Sequence, residues 1–174
     1  MKRTTPRQIF LLAIICLLGG CQQTVEQGAP SSQELLAVFG NQQVIDTVHT
    51  ASTVHAYRLA DASFYQEQLS SYERAGEAVT VSEADRLQLR DLLLDRESYE
   101  LEMAKGCEPI FGVGVTFARG EQSVDVLFCF ECDILAVYQD GRRVGDEDFD
   151  PARTRLVKLV KKFFPDDDVI QQLK

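Results

Sequence analysis

Between residues 112 and 144 the chain reads as apolar runs cut by turn signals, and this stretch limits the possible folds more than any other. Residues 113–117 and 124–130 flank Arg119-Gly120-Glu121-Gln122, a hairpin loop signal. Residues 134–138 follow, then Asp140-Gly141. That dipeptide suits a type I′ turn, in which both central residues take positive φ. A short return runs through Arg143-Val144. The pattern predicts an antiparallel β-meander of three or four strands.

Helical signals lie on either side. Ser32 is placed to cap a short helix through Leu35, Leu36, Val38 and Phe39, with Gly40 ending it. Residues 41–50 fit neither period clearly. Residues 52–59 are β-branched and aromatic enough for a strand, and Val79-Thr80-Val81 reads as another short one. Ser82-Glu83-Ala84-Asp85 is an Asp variant of the capping box; it opens a predicted helix to about Asp95, with Leu87, Leu89, Leu92, Leu93 and Leu94 to bury. Asp150-Pro151 predicts a helix start with an acidic N-cap. Leu156, Leu159, Val160 and Phe163 then mark its apolar face, Arg155, Lys158 and Lys162 another, and Pro165 its end. Asp166 is placed to cap a last short helix. Helices flanking one antiparallel sheet make a single α+β domain, expected over residues 32–174.

The N-terminus carries a different message. Lys2, Arg3 and Arg7 precede an apolar run over residues 9–18, which is too short for a span of about 20 residues. Leu18-Gly19-Gly20-Cys21 closes it. This arrangement resembles the lipoprotein signal of bacteria, and the resemblance covers residues 1–21 only. It implies that the Cys21 thiol takes a diacylglyceryl group, that residues 1–20 are then removed as signal peptide, and that the amine of Cys21, now the first mature residue, is acylated by a chain such as palmitate. Gln22 stands where an Asp commonly retains such proteins at the inner membrane. The resemblance therefore favours the periplasmic face of the outer membrane, or the outer leaflet of a single membrane in a Gram-positive host. Residues 21–31, polar with Gly28 and Pro30, read as a flexible tether.

Charge and cysteine usage narrow the function. The chain carries −9, and removal of three signal cations leaves −12. Such a chain is repelled by nucleic acid and by anionic headgroups, so a nucleic-acid partner is not expected. Setting aside Cys16 and Cys21 leaves Cys107, Cys129 and Cys132. An exported protein normally pairs its thiols, so three point to one disulfide with a free thiol, or to a thiolate metal site. If the hairpin centres near Gly120 and Glu121, position 109 faces about position 132, and all three sulfurs can approach. A bridge from Cys107 to Cys129 or Cys132 is the first expectation. A zinc site with a fourth ligand from Glu108, Glu131, Asp133, His49 or His55 is the alternative, with no other cofactor implied. Exchange chemistry at Cys129-Phe130-Glu131-Cys132 is disfavoured, because a strand and not a helix follows, and Glu131 and Asp133 oppose a thiolate.

Other constellations carry less. Asp146, Asp148 and Asp150 mimic the start of a calcium loop, but Pro151 and Val157 stand where Gly and Glu are required; they read as a solvated acidic loop. His49 and His55 would share one face of a strand. The basic row Arg155, Lys158, Lys161 and Lys162 reads as the wet face of an amphipathic helix. No G-x-S-x-G, H-E-x-x-H or S-x-x-K occurs, so nothing supplies a reason to propose an enzyme. The expectation is a lipid-anchored envelope protein acting as a binding or interaction module, with an envelope protein as possible partner. An exposed apolar patch on the sheet beside the cysteines would suit that role. The competing expectation is a thiol- or metal-dependent activity at Cys107, Cys129 and Cys132.

Overall fold

Strands β4 (Gln122–Cys129) and β5 (Ile134–Gln139) are nearly continuous apolar runs because they are buried on both sides. They sit inside a six-stranded antiparallel sheet of order β2-β1-β3-β4-β5-β6, completed by β1 (Thr53–Leu59), β2 (Arg74–Thr80), β3 (Val113–Arg119) and β6 (Arg142–Asp148). The architecture comes from a computed structural model, which describes residues 33–60 and 64–174. The expected signal peptide, Cys21, the expected tether and Ser32 lie outside the described residues.

Turn chemistry sets the register. Gly120 takes φ 59 while Glu121 stays out of the positive region, the sign pattern of a type II′ turn with Gly in its first central position. Arg119 then faces Gln122 and Val113 faces Phe128. Asp140 and Gly141 take φ 51 and 77, the two positive values a type I′ turn demands. The expected meander is therefore present as four strands, β3 to β6.

One face of the sheet carries Val54, Ala56, Val113, Val115, Phe117, Val126, Phe128, Leu135 and Val137 and packs against helices. These are α1 (Gln33–Phe39), α2 (Gln42–Thr50), α3 (Glu83–Leu93) and α4 (Arg153–Phe163), followed by the short α5 (Asp168–Gln171). Residues 42–50, ambiguous in sequence, form α2. Asn41 caps it by accepting from the Val44 amide at 3.0 Å, and Val44, Ile45 and Val48 are buried. Tertiary packing overrides the β preference of this valine- and isoleucine-bearing stretch. Ser82 accepts from the Asp85 amide at 3.2 Å, as the capping signal implied, but α3 stops at Leu93, short of the expected Asp95.

Three further details differ from expectation. β2 covers seven residues where only Val79-Thr80-Val81 was legible, since all seven are exposed and show no apolar alternation. Asp150 does not cap a helix: it opens a short 3-10 turn over Asp150–Ala152, and its carboxylate accepts from Lys105 instead. The last helix is capped by Asp167, not Asp166, through the Ile170 amide at 3.0 Å.

Close backbone approach joins α1 to β6. A Cβ on Gly145 would overlap the Val38 carbonyl oxygen, and one on Gly40 would overlap that of Val144. Gly145→Ala should therefore lose about 1–3 kcal/mol through overpacking, whereas Gly106→Ala, with open space around it, should stay near neutral. Urea unfolding midpoints at unchanged m-value check this. Equal midpoints would mean that α1 does not seat on β6 as described.

Candidate functional site

The second face of the sheet holds the residues singled out by sequence. Tyr57, Leu59, Leu127, Cys129, Ile134, Ala136 and Tyr138 point to it. Among the described residues no α-helix covers this side. Tyr72, Phe111 and the partly buried Tyr65 and Leu69, all from connecting segments, close it instead. Tyr138 donates to the Gln66 carbonyl at 2.7 Å, and the Gln66 amide donates to the Tyr72 hydroxyl at 2.9 Å. Near β3, Asp125 is buried in β4 yet accepts from Tyr57 at 2.9 Å and Thr116 at 2.5 Å. Arg74 lies over the Tyr57 ring, 3.8 Å from its centroid. Burial, reinforced by Asp125, pushes the Tyr57 phenol well up, so it stays a donor.

The cysteines divide as the first expectation had it. Cys107 and Cys132 form a disulfide with a Cα–Cα distance of 6.0 Å. Cys129 is free and buried, and its sulfur accepts from the Ile110 amide at 3.2 Å. Residues 130–133 make a tight turn, with Asp133 at φ 57. That turn carries Cys132 back to the same apolar cluster as Cys129. With two sulfurs bonded to each other, the three-thiolate zinc arrangement is not the one adopted. Among the described residues no group of three or more His, Cys, Asp or Glu is arranged to hold a metal ion.

Lys105 is the residue that sequence reasoning missed. Its Nζ donates to the Cys132 carbonyl at 2.6 Å and to Asp150 at 2.7 Å, and pairs with Asp148 at 2.9 Å. Burial works against its charge, but the hydrogen bonds and fields of Asp150 and Asp148 prevail and hold it above the ordinary lysine range. Beside it Arg153 binds both Asp133 and the Phe130 carbonyl. Burial and the neighbouring Asp150 keep Asp133 above the usual carboxylate range; burial also acts upward on Asp150, but Lys105 brings it below.

The aspartate run thus has internal duties. Asp146 and Asp148 belong to β6, and Asp146 accepts from Tyr65 at 3.0 Å. This replaces the solvated acidic loop. The histidines also separate: His49 is in α2, its Nδ1 buried without a hydrogen bond, while His55 is in β1, 3.4 Å from Thr80. Glu108 and Glu131 remain near the disulfide, Glu108 through its backbone carbonyl, 3.7 Å from the Cys132 sulfur. No serine or cysteine is hydrogen-bonded to a histidine among the described residues.

A cleft of about 440 Å³ opens beside the disulfide, lined by Tyr65, Leu101, Met103, Lys105, Ile134 and Asp146 among others. It stands where an apolar patch was expected, but most of that sheet face is covered. Among the described residues the exposed large apolar side chains are Phe64, Val79, Met103 and Val169, on separate stretches of the chain. Compared with protein-family models, curated proteins and solved structures, the chain matches none.

Two outcomes test the anchoring of this face. Cys107→Ser should destabilise the fold by about 2–5 kcal/mol, and peptide mapping of Cys107, Cys129 and Cys132 should find one reactive thiol, Cys129, only after denaturation without reductant. An unchanged unfolding midpoint would remove the disulfide from the account. Lys105→Met should cost about 3–5 kcal/mol because Asp148 is left buried and unpaired, and adding Asp148→Asn should restore much of it. A loss as small as that of an exposed pair, about 0–1 kcal/mol, would show that Lys105 does not hold its segment.

Proposed function

We propose that this chain is a lipid-anchored protein of the bacterial envelope whose globular domain acts as a binding or interaction module. The observation that carries the anchor is Leu18-Gly19-Gly20-Cys21, closing an apolar run behind a basic N-terminus. The Cys107–Cys132 disulfide supports the same compartment, since such bonds persist in oxidising surroundings. In this reading acyl chains on Cys21 confine the domain to a membrane face, in a two-membrane host the periplasmic face of the outer membrane. Confinement raises its effective concentration for a neighbouring envelope protein.

Binding is favoured over chemistry at the cysteines by the state of the sulfurs. Two are joined, the third is fully buried, and a reactive thiol needs exposure and an electropositive setting. The cleft between Met103 and Asp146 combines apolar, acidic and cationic groups within reach of solvent and is the natural partner-facing surface. Cys21→Ser should abolish acyl labelling and move the protein from the membrane to the soluble fraction. A variant that stays labelled and membrane-bound would overturn the anchor. A photo-crosslinker at Met103 should capture a defined envelope protein in cells; capture equal to that from one at Val79, on the far edge strand, would overturn the assignment of the cleft.

A further inference from the structure

Helix α4 carries Arg153, Arg155, Lys158, Lys161 and Lys162 and no acidic residue, in a chain of net charge −9. Leu156, Val157, Leu159, Val160 and Phe163 bury its other side. Arg155, Lys158 and Lys162, three and four residues apart, therefore form one outward row, with Lys161 next to it. α3 lies alongside and offsets part of this charge. Asp85 takes Lys162 at 2.6 Å, Asp95 stands 4.0 Å from Arg155, and Asp91 is held by its neighbour Arg90. Lys158 and Lys161 have no ion pair among the described residues.

The position of this helix relative to the chain's entry is the second observation. In the first turn of α1, Glu34 accepts from Arg96 at 3.2 Å, and Arg96 follows the Asp95 that faces Arg155. The described domain therefore begins beside the N-terminal end of α4. Cys21 is twelve residues before the described domain, a number that can span at most ~40 Å.

We propose that α4 is the membrane-facing surface of the anchored domain, resting Lys158 and Lys161, flanked by Arg155 and Lys162, on anionic phospholipid headgroups. The proposal rests on the lipid-anchor reading above. Net negative charge would keep a free copy of the domain away from such a surface. An anchored copy is held there by its acyl chains, so the leaflet field has only to select which face turns down. With screening over about 8 Å, only groups in direct apposition count, and α4 is the cationic face nearest the tether. Asp166, Asp167 and Asp168 lie past the far end of α4, and Asp167 is engaged by Arg58 at 2.8 Å.

Lysine labelling on the full acylated protein in vesicles tests this, with phosphatidylcholine alone or mixed with phosphatidylglycerol. Lys158 and Lys161 should label at least ~3-fold more slowly in the anionic vesicles, regain their rate in high salt, and leave Lys105 unchanged as reference. Equal labelling in both vesicles would overturn the assignment. Protection arising only when a co-isolated protein is added would give the face to a protein partner and equally overturn it. Vesicle flotation and the acyl mass on Cys21 report the anchor separately, so failure of orientation and failure of anchoring are distinguishable.

Discussion

A sheet with one wet face needs cover only from helices, but β4 and β5 bury both faces, so a second cover has to come from elsewhere. The chain spends its helices on the first face and closes the second with connecting segments. Such segments bring backbone groups that must find partners, and they lose more conformational entropy than they recover by local bonding. Each is therefore pinned. Tyr138 and Tyr72 hold residues near Gln66, and Phe111 packs edge-on against Tyr72 with ring centroids 5.9 Å apart. The disulfide closes a separation of 25 residues, worth about 3–4 kcal/mol by the loop-entropy argument.

Lys105 belongs to the same economy of fixing. A half-buried cation between two aspartates is not a strong source of stability, because desolvation takes back most of the Coulombic gain. What it supplies is position: one ammonium group ties the segment before β3 to the Cys132 turn and to the end of β6. The disulfide and the ammonium thus act on the same two pieces of chain, one covalently and one by charge. The cleft beside them keeps its shape because both of its walls are held.

Legibility in the sequence followed how local the determining interaction was. The two hairpins were readable because their turns need positive φ at Gly120, Asp140 and Gly141, a demand met by single residues. The α3 start was readable because Ser82 and Asp85 bond across three residues. β2 and α2 were not, since exposure erased the alternation of the first and tertiary burial overrode the β-branched residues of the second. The cysteine pairing was half legible: register narrowed the partners of Cys107 to Cys129 and Cys132, and the bridge goes to Cys132, in the turn over residues 130–133. Lys105 left no sequence signal, because its three partners lie 27 to 45 residues away.

The two edges of the sheet are treated differently, and both need treatment because an open edge strand is a template for pairing with another chain. The β6 edge is closed: Leu69 donates to the Gly141 carbonyl, Arg143 to that of Glu67, and Glu100 to that of Asp148, while α1 sits on Gly145. The β2 edge has no covering strand among the described residues. Its register against β1 breaks between Ala56 and Arg58, with Gly76 at φ 74, and Arg74 and Glu77 charge the bulged stretch. A bulged, charged edge is a poor template for a second strand. The proposed anchor would multiply encounters between copies, and with them the hazard of edge-to-edge pairing. An exposed Val79 on a straight strand would invite that pairing; the kink at Gly76 shortens the flat stretch to a few residues, too few for a stable ladder.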